Sequence, residues 1–138
     1  MKKTITVALV IIMLLTMSVT VFANNYDVMP CFNNTITTST HFTINENGLA
    51  TVSLRYIGYQ NCATSGTITA KIQKQGAFGW SDVTGASWEH QVDGFMYSTE
   101  HTFQLTSKGT YQLVYEYVVR GTGGADDVVN GTTQETYS

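Results

Sequence analysis

Between Thr35 and Tyr137 run after run of this chain sets its apolar residues at every second position, and no helical period follows residue 23. Thr67 to Lys74 is the clearest case. Ile68, Ala70 and Ile72 face one way, and Thr67, Thr69, Lys71 and Gln73 face the other. A helix would scatter these residues around its circumference, whereas a half-buried strand gathers each set on one face. Leu49 to Tyr56 repeats the pattern with Val52, Leu54 and Tyr56. Met96 to Leu105 repeats it with Tyr97, Thr99, His101, Phe103 and Leu105, and Thr110 to Arg120 with Tyr111, Leu113, Tyr115, Tyr117 and Val119. Thr35 to Ile44 places Ile36, Thr38, Thr40, Phe42 and Ile44 together. Asn45-Glu46-Asn47-Gly48 joins that run to the next as a hairpin turn. Gly58, where the apolar phase flips, marks a bulge or strand end. Trp80 to Val83 reads as a short strand, residues 84–95 as irregular, and Val128 to Tyr137 as the last strand. About seven short antiparallel strands predict an all-β chain, folded as a single immunoglobulin-like β-sandwich.

The first 23 residues stand apart. Lys2 and Lys3 precede an apolar run from Ile5 to Phe22, which closes on Val21-Phe22-Ala23. This is the charged start, apolar middle and small-residue end of a secretory signal peptide. The rival reading, an uncut membrane anchor, is diluted by Thr6, Thr16, Ser18 and Thr20. Cleavage after Ala23 leaves residues 24–138 as one β domain, secreted and without a membrane span. It also removes two of the seven basic residues, so five face ten acidic ones, a net charge of −5. Such a balance gives no footprint for nucleic acid or an anionic bilayer. In an oxidising compartment Cys31 and Cys62 are expected to form a disulfide.

Two resemblances add to this. Ser107-Lys108-Gly109-Thr110-Tyr111-Gln112-Leu113 resembles the tyrosine corner of immunoglobulin-like domains, with Tyr111 as the corner tyrosine. Leu113 stands where antibody domains carry their second inter-sheet Cys, so a Cys31–Cys62 bridge is not that one. Val52 to Tyr59, Lys71-Ile72-Gln73-Lys74 before Trp80-Ser81-Asp82-Val83, and Arg120 to Asp127 resemble small secreted proteins of Gram-positive, clostridia-like bacteria. That resemblance implies a bacterial secreted β domain and brings no catalytic residues with it.

Motifs of catalysis are missing: there is no Gly-x-Ser-x-Gly elbow, His-Glu-x-x-His helix, Walker loop or Cys-x-x-Cys pair. His41 and His101 read as half-buried strand histidines. His90 beside Glu89 is the better base, and Asp82, Glu89 and Asp93 are the carboxylates nearest to a glycosidase pair. None of these outweighs ordinary solvation, so the chain reads as no enzyme. In Gly121-Thr122-Gly123-Gly124-Ala125-Asp126-Asp127, Asp126 and Asp127 are candidate Ca²⁺ ligands, against a plain hairpin loop. The aromatic surplus is the strongest functional sign. Trp80, Trp88, Phe95, Tyr115 and Tyr117 are the candidate ligand-binding residues, because exposed rings cover apolar sugar faces and anchor protein interfaces. The expected function is a non-enzymatic binding module for an extracellular polysaccharide or cell-wall polymer. The alternative is a protein–protein module: an adhesion subunit, an inhibitor or a toxin-like effector.

Overall fold

The computed structural model describes residues 32–138. The segment read as a signal peptide, and Cys31, lie outside the described residues. Seven strands follow one another: β1 (Thr35–Ile44), β2 (Leu49–Gly58), β3 (Ala63–Gly76), β4 (Gly79–Asp93), β5 (Met96–Gln104), β6 (Gly109–Gly121) and β7 (Asp127–Tyr137). They form two antiparallel sheets, one in the order β1-β2-β5 and the other β4-β3-β6-β7. The sheets pack face to face as a β-sandwich, the architecture that the alternation predicts. A constant-type immunoglobulin sandwich keeps its fourth strand with the first, second and fifth. Here the fourth strand pairs with the third instead.

The core follows from the period of two. Val52, Leu54 and Tyr56 of β2 face Ile68, Ala70 and Ile72 of β3 and Leu113, Tyr117 and Val119 of β6, all essentially buried. The turn between β1 and β2 is built by Asn45. Its Oδ1 accepts from the backbone N–H of Asn47 and Leu49, and its carbonyl accepts from Gly48. At the β5–β6 corner the Tyr111 hydroxyl donates to the Ser107 carbonyl four residues back.

Three expectations change. Residues 84–95 are not irregular, because β4 runs unbroken in strand conformation from Gly79 to Asp93. Its ladder with β3 jumps between Lys71↔Ser87 and Gln73↔Asp82, leaving residues 83–86 as a bulge. Gly85 takes the left-handed backbone the bulge needs, with φ 83°. The extra residues invert the inward phase, which hides a strand from a simple alternation test. A smaller irregularity between Thr35 and Thr37 turns Ile36 outward, 53% exposed, while Phe42 stays in the core. His41, expected to face the core, is exposed. Cys62 is half-buried and in no disulfide among the described residues, and Cys31, its expected partner, lies outside them.

Candidate functional site

The glycine-rich loop before β7 is a clasp for the start of β1. Asp127 is 5% exposed, and its carboxylate faces the chain 92 to 94 residues earlier. The backbone N–H of Asn33 donates to Oδ1 (2.9 Å), and those of Asn34 and Thr35 donate to Oδ2 (2.7 Å each). The fully buried Asn34 side chain donates to the Ala125 carbonyl and accepts from the Gly123 N–H, both at 3.0 Å. A Cβ at Gly121 would overlap the Cys62 carbonyl, and one at Gly123 would overlap that of Asn33. These glycines are therefore close-approach residues. Burial alone would raise the Asp127 carboxyl, but the three N–H groups, with the nearby Thr35 hydroxyl, outweigh it and hold the pKa below its ordinary value. Asp126 instead pairs with Arg120 at 3.3 Å. The two candidate Ca²⁺ ligands thus diverge, one to the backbone of residues 33–35 and one to Arg120. Thr35 Oγ1, buried beside the clasp, has no hydrogen-bond partner of good geometry among the described residues, although it lies near enough to Asp127 to help lower that pKa.

The candidate ligand-binding aromatics do not form one surface. Tyr117 is fully buried, and its hydroxyl bridges the sheets by donating to the Ser39 carbonyl (2.9 Å) beside Thr40 Oγ1 (2.7 Å). Burial holds its phenol above the ordinary pKa, so it remains a donor. Tyr115 meets Tyr117 edge to face at 5.8 Å and packs against the core, as do Phe95 and Trp88. Trp80 pairs with Gln75 near the tip of the β3–β4 hairpin, on the other side of the bulge from Trp88. The most exposed ring is one that the sequence reading passed over. Phe78 occupies the turn between Gly76 and Gly79 and is fully open to solvent. A bulky apolar residue in a tight turn was the available signal.

Trp88 takes part in a cluster that closes one side of the sandwich. β4 and β5 are edge strands of different sheets and share no ladder. Trp88 and His90 point inward from β4, opposite Ala70 and Ile68; Tyr97 and His101 point inward from β5, opposite Tyr56 and Val52. Trp88 lies parallel to His101, with centroids 4.9 Å apart and 12° between planes. His90 Nε2 and His101 Nε2 are 2.8 Å apart, and the Tyr97 hydroxyl lies 3.3 Å from His90 Nδ1. Burial, followed by the neighbouring His90, holds His101 below the ordinary histidine pKa.

A third region lies on the outer face of the four-stranded sheet. A trough of about 470 Å³ crosses all four strands. Two outward cross-strand rows line it, Thr69, Glu89, Glu116 and Asn130 on one side and Lys71, Ser87, Val114 and Thr132 on the other, and the row between them, Ala70, Trp88, Tyr115 and Gly131, completes the lining. The outward rows alternate with the inward residues Ala70, Trp88 and Tyr115, so the trough and the core use opposite faces of the same strands. No group of three or more metal-ligating side chains occurs among the described residues. A scan against family models and a search of curated proteins return no match to this chain.

Proposed function

We propose that this protein is a secreted, non-enzymatic binding module whose ligand surface is the trough across β4-β3-β6-β7, and that its ligand is a polyhydroxylated extracellular polymer such as a polysaccharide. The observation that carries this reading is the lining of the trough. Its two outward rows offer hydroxyls from Thr69, Ser87 and Thr132, the Asn130 amide, two carboxylates and the Lys71 ammonium that also pairs with Asp82, around Val114 and over a strip that includes Ala70, Trp88 and Tyr115. Such a surface exchanges its bound water for sugar hydroxyls with little loss of hydrogen bonds. Of the candidate aromatics, Trp88 and Tyr115 belong to this lining and Trp80 does not, so hydrogen bonding is the main recognition proposed for the trough. Modest affinity follows, because the surface is open.

The test is a sedimentation pull-down of residues 24–138 with insoluble cell walls and a polysaccharide panel, read beside the Glu116→Ala and Thr69→Val variants. Binding that both variants weaken several-fold supports the trough. Binding that neither variant alters moves the surface elsewhere, and absence of binding to every polymer removes the glycan reading. A protein partner is the second reading, favoured by Phe78. A fully exposed aromatic at a hairpin tip is the kind of residue that anchors an interface. Under that reading Phe78→Ser abolishes partner binding and leaves the trough variants silent.

A further inference from the structure

We infer that the His90–His101 contact is an acid-released latch between the two sheets. The argument begins with the shape of the contact. The ring centroids are 4.9 Å apart with 14° between planes. The 2.8 Å Nε2–Nε2 distance, plus one ring radius on each side, already accounts for that separation. The imidazoles therefore meet edge to edge in nearly one plane, in a head-on N–H···N hydrogen bond. Such a bond needs one Nε2 that carries hydrogen and one that does not. It survives a first added proton, because the charge can reside on His101, where Trp88 lies parallel to the ring and an imidazolium gains from the indole face. It cannot survive the second proton. Both Nε2 atoms would then be donors, and two like charges would face each other at hydrogen-bond distance.

The surroundings offer little to that second charge: Thr99 Oγ1 makes one long contact of 3.5 Å with His101 Nε2, and both rings are half-buried. His101 stands opposite Val52 of β2 and His90 opposite Ile68 of β3, both apolar and buried. The phenols nearest on β2 and β5 are Tyr56, whose hydroxyl donates to the Gly94 carbonyl, and Tyr97, whose hydroxyl lies 3.3 Å from His90 Nδ1. Glu89 on β4 and Glu100 on β5 stand at exposed positions, and the Glu89 carboxylate takes the Gln91 amide. Asp93, at the end of β4, is exposed as well. Neither histidine forms an ion pair among the described residues. Two imidazoles without a third ligand also make a poor metal site. What the geometry favours is proton counting. Because no β4–β5 ladder backs up the side chains, double protonation parts the two edges there and wets Trp88, while the ladders within each sheet persist. This inference is independent of the ligand proposed for the trough.

The experiment follows Trp88 emission in a Trp80→Phe protein from about pH 8 to about pH 4.5, the range in which imidazoles titrate while most carboxylates remain ionised. The expected result is a red shift and a several-fold rise in acrylamide quenching on acidification, with far-UV circular dichroism unchanged. The same protein carrying His90→Gln and His101→Gln should show no such transition. An emission that ignores pH, or a transition that survives in the double variant, overturns the latch. So does a loss of circular dichroism that coincides with the red shift, because it means global unfolding. If the double variant does not fold, imidazole nitrogen NMR of the wild-type protein decides. Two coupled steps, the second displaced to lower pH, support the latch, whereas two independent titrations at the ordinary histidine value overturn it.

Discussion

The two long sides of the sandwich are closed by different chemistry. On the β1–β6–β7 side, Tyr117 reaches from one sheet to Ser39 and Thr40 of the other, and Asp127 gathers three backbone N–H groups. None of these groups changes charge near neutral pH, since burial keeps the phenol protonated and the N–H donors keep the carboxyl ionised. On the β4–β5 side the bridge is a pair of imidazoles beside an indole and a phenol. Imidazole is the side chain that titrates near neutrality. The comparison teaches that one fold can carry a permanent side and a conditional side without any change of architecture.

The largest effect expected at the permanent side comes from Asp127→Ala. It strips three N–H groups of their acceptor and should cost about 3–5 kcal/mol in urea unfolding, as for a broken buried charge network. A cost under about 1 kcal/mol would place this carboxylate among ordinary surface charges and undo the comparison. The pH dependence separates the two sides further. The Asp127 pKa lies below its ordinary value, so its contribution is present above about pH 4 and disappears as pH falls through the lower folded value. His101 is also lowered, but it is a base. Its stabilisation is complete above about pH 6.5 and declines as pH falls from there toward the lower folded value. Acid titration of the wild-type protein should therefore show an early loss from the histidine side and a later one from the carboxylate side. Asp127→Asn should flatten only the later loss.

Tyr117→Phe is the next largest. It keeps the buried ring and removes the hydroxyl that joins the sheets, and the expected loss is about 1–2 kcal/mol. The same substitution should leave the acid transition of Trp88 unmoved, because Tyr117 touches only the other side.

The permanent side also shows why some of this molecule was legible in the sequence and some was not. Strands such as β3 and β6 declare themselves, since Ile68, Ala70, Ile72 and Leu113 must all face inward and no bulge interrupts them after Ser65. β4 was obscured by the bulge around Gly85, and with it the inward placement of Trp88 and His90. The loop at 121–127 was conspicuous, but its meaning depends on Asn33, Asn34 and Thr35, more than ninety residues distant. Its acidic residues suggest cation binding until the backbone donors that occupy Asp127 are seen. The trough was equally hidden. It is made by the polar halves of strands whose apolar halves drew attention to the core.

Thr35→Val should move stability the other way. Thr35 is 2% exposed, and its Oγ1 has no partner of good geometry among the described residues. A buried hydroxyl without a hydrogen bond costs free energy, and valine keeps the branched shape, so a gain of about 0.5–1.5 kcal/mol is expected. A loss instead would show that the hydroxyl contributes to holding Asp127, and would make the clasp a four-donor site.

The smallest effect belongs to the conditional side. Tyr97→Phe removes the hydroxyl near His90 Nδ1, a contact of 3.3 Å between half-buried groups. Stability at pH 8 should change by less than about 0.5 kcal/mol, because a long and partly solvated hydrogen bond contributes little. The effect should appear in the proton distribution instead. With the hydroxyl accepting from Nδ1–H, His90 offers a bare Nε2 to His101; without it, the two tautomers of His90 approach equal population. Imidazole nitrogen shifts read that change directly. If the tautomer ratio stays fixed in Tyr97→Phe, the pair sets its own proton order and Tyr97 is only packing. If the ratio moves while stability does not, the phenol is what decides which histidine donates, and the direction of the bond between the sheets is set from β5.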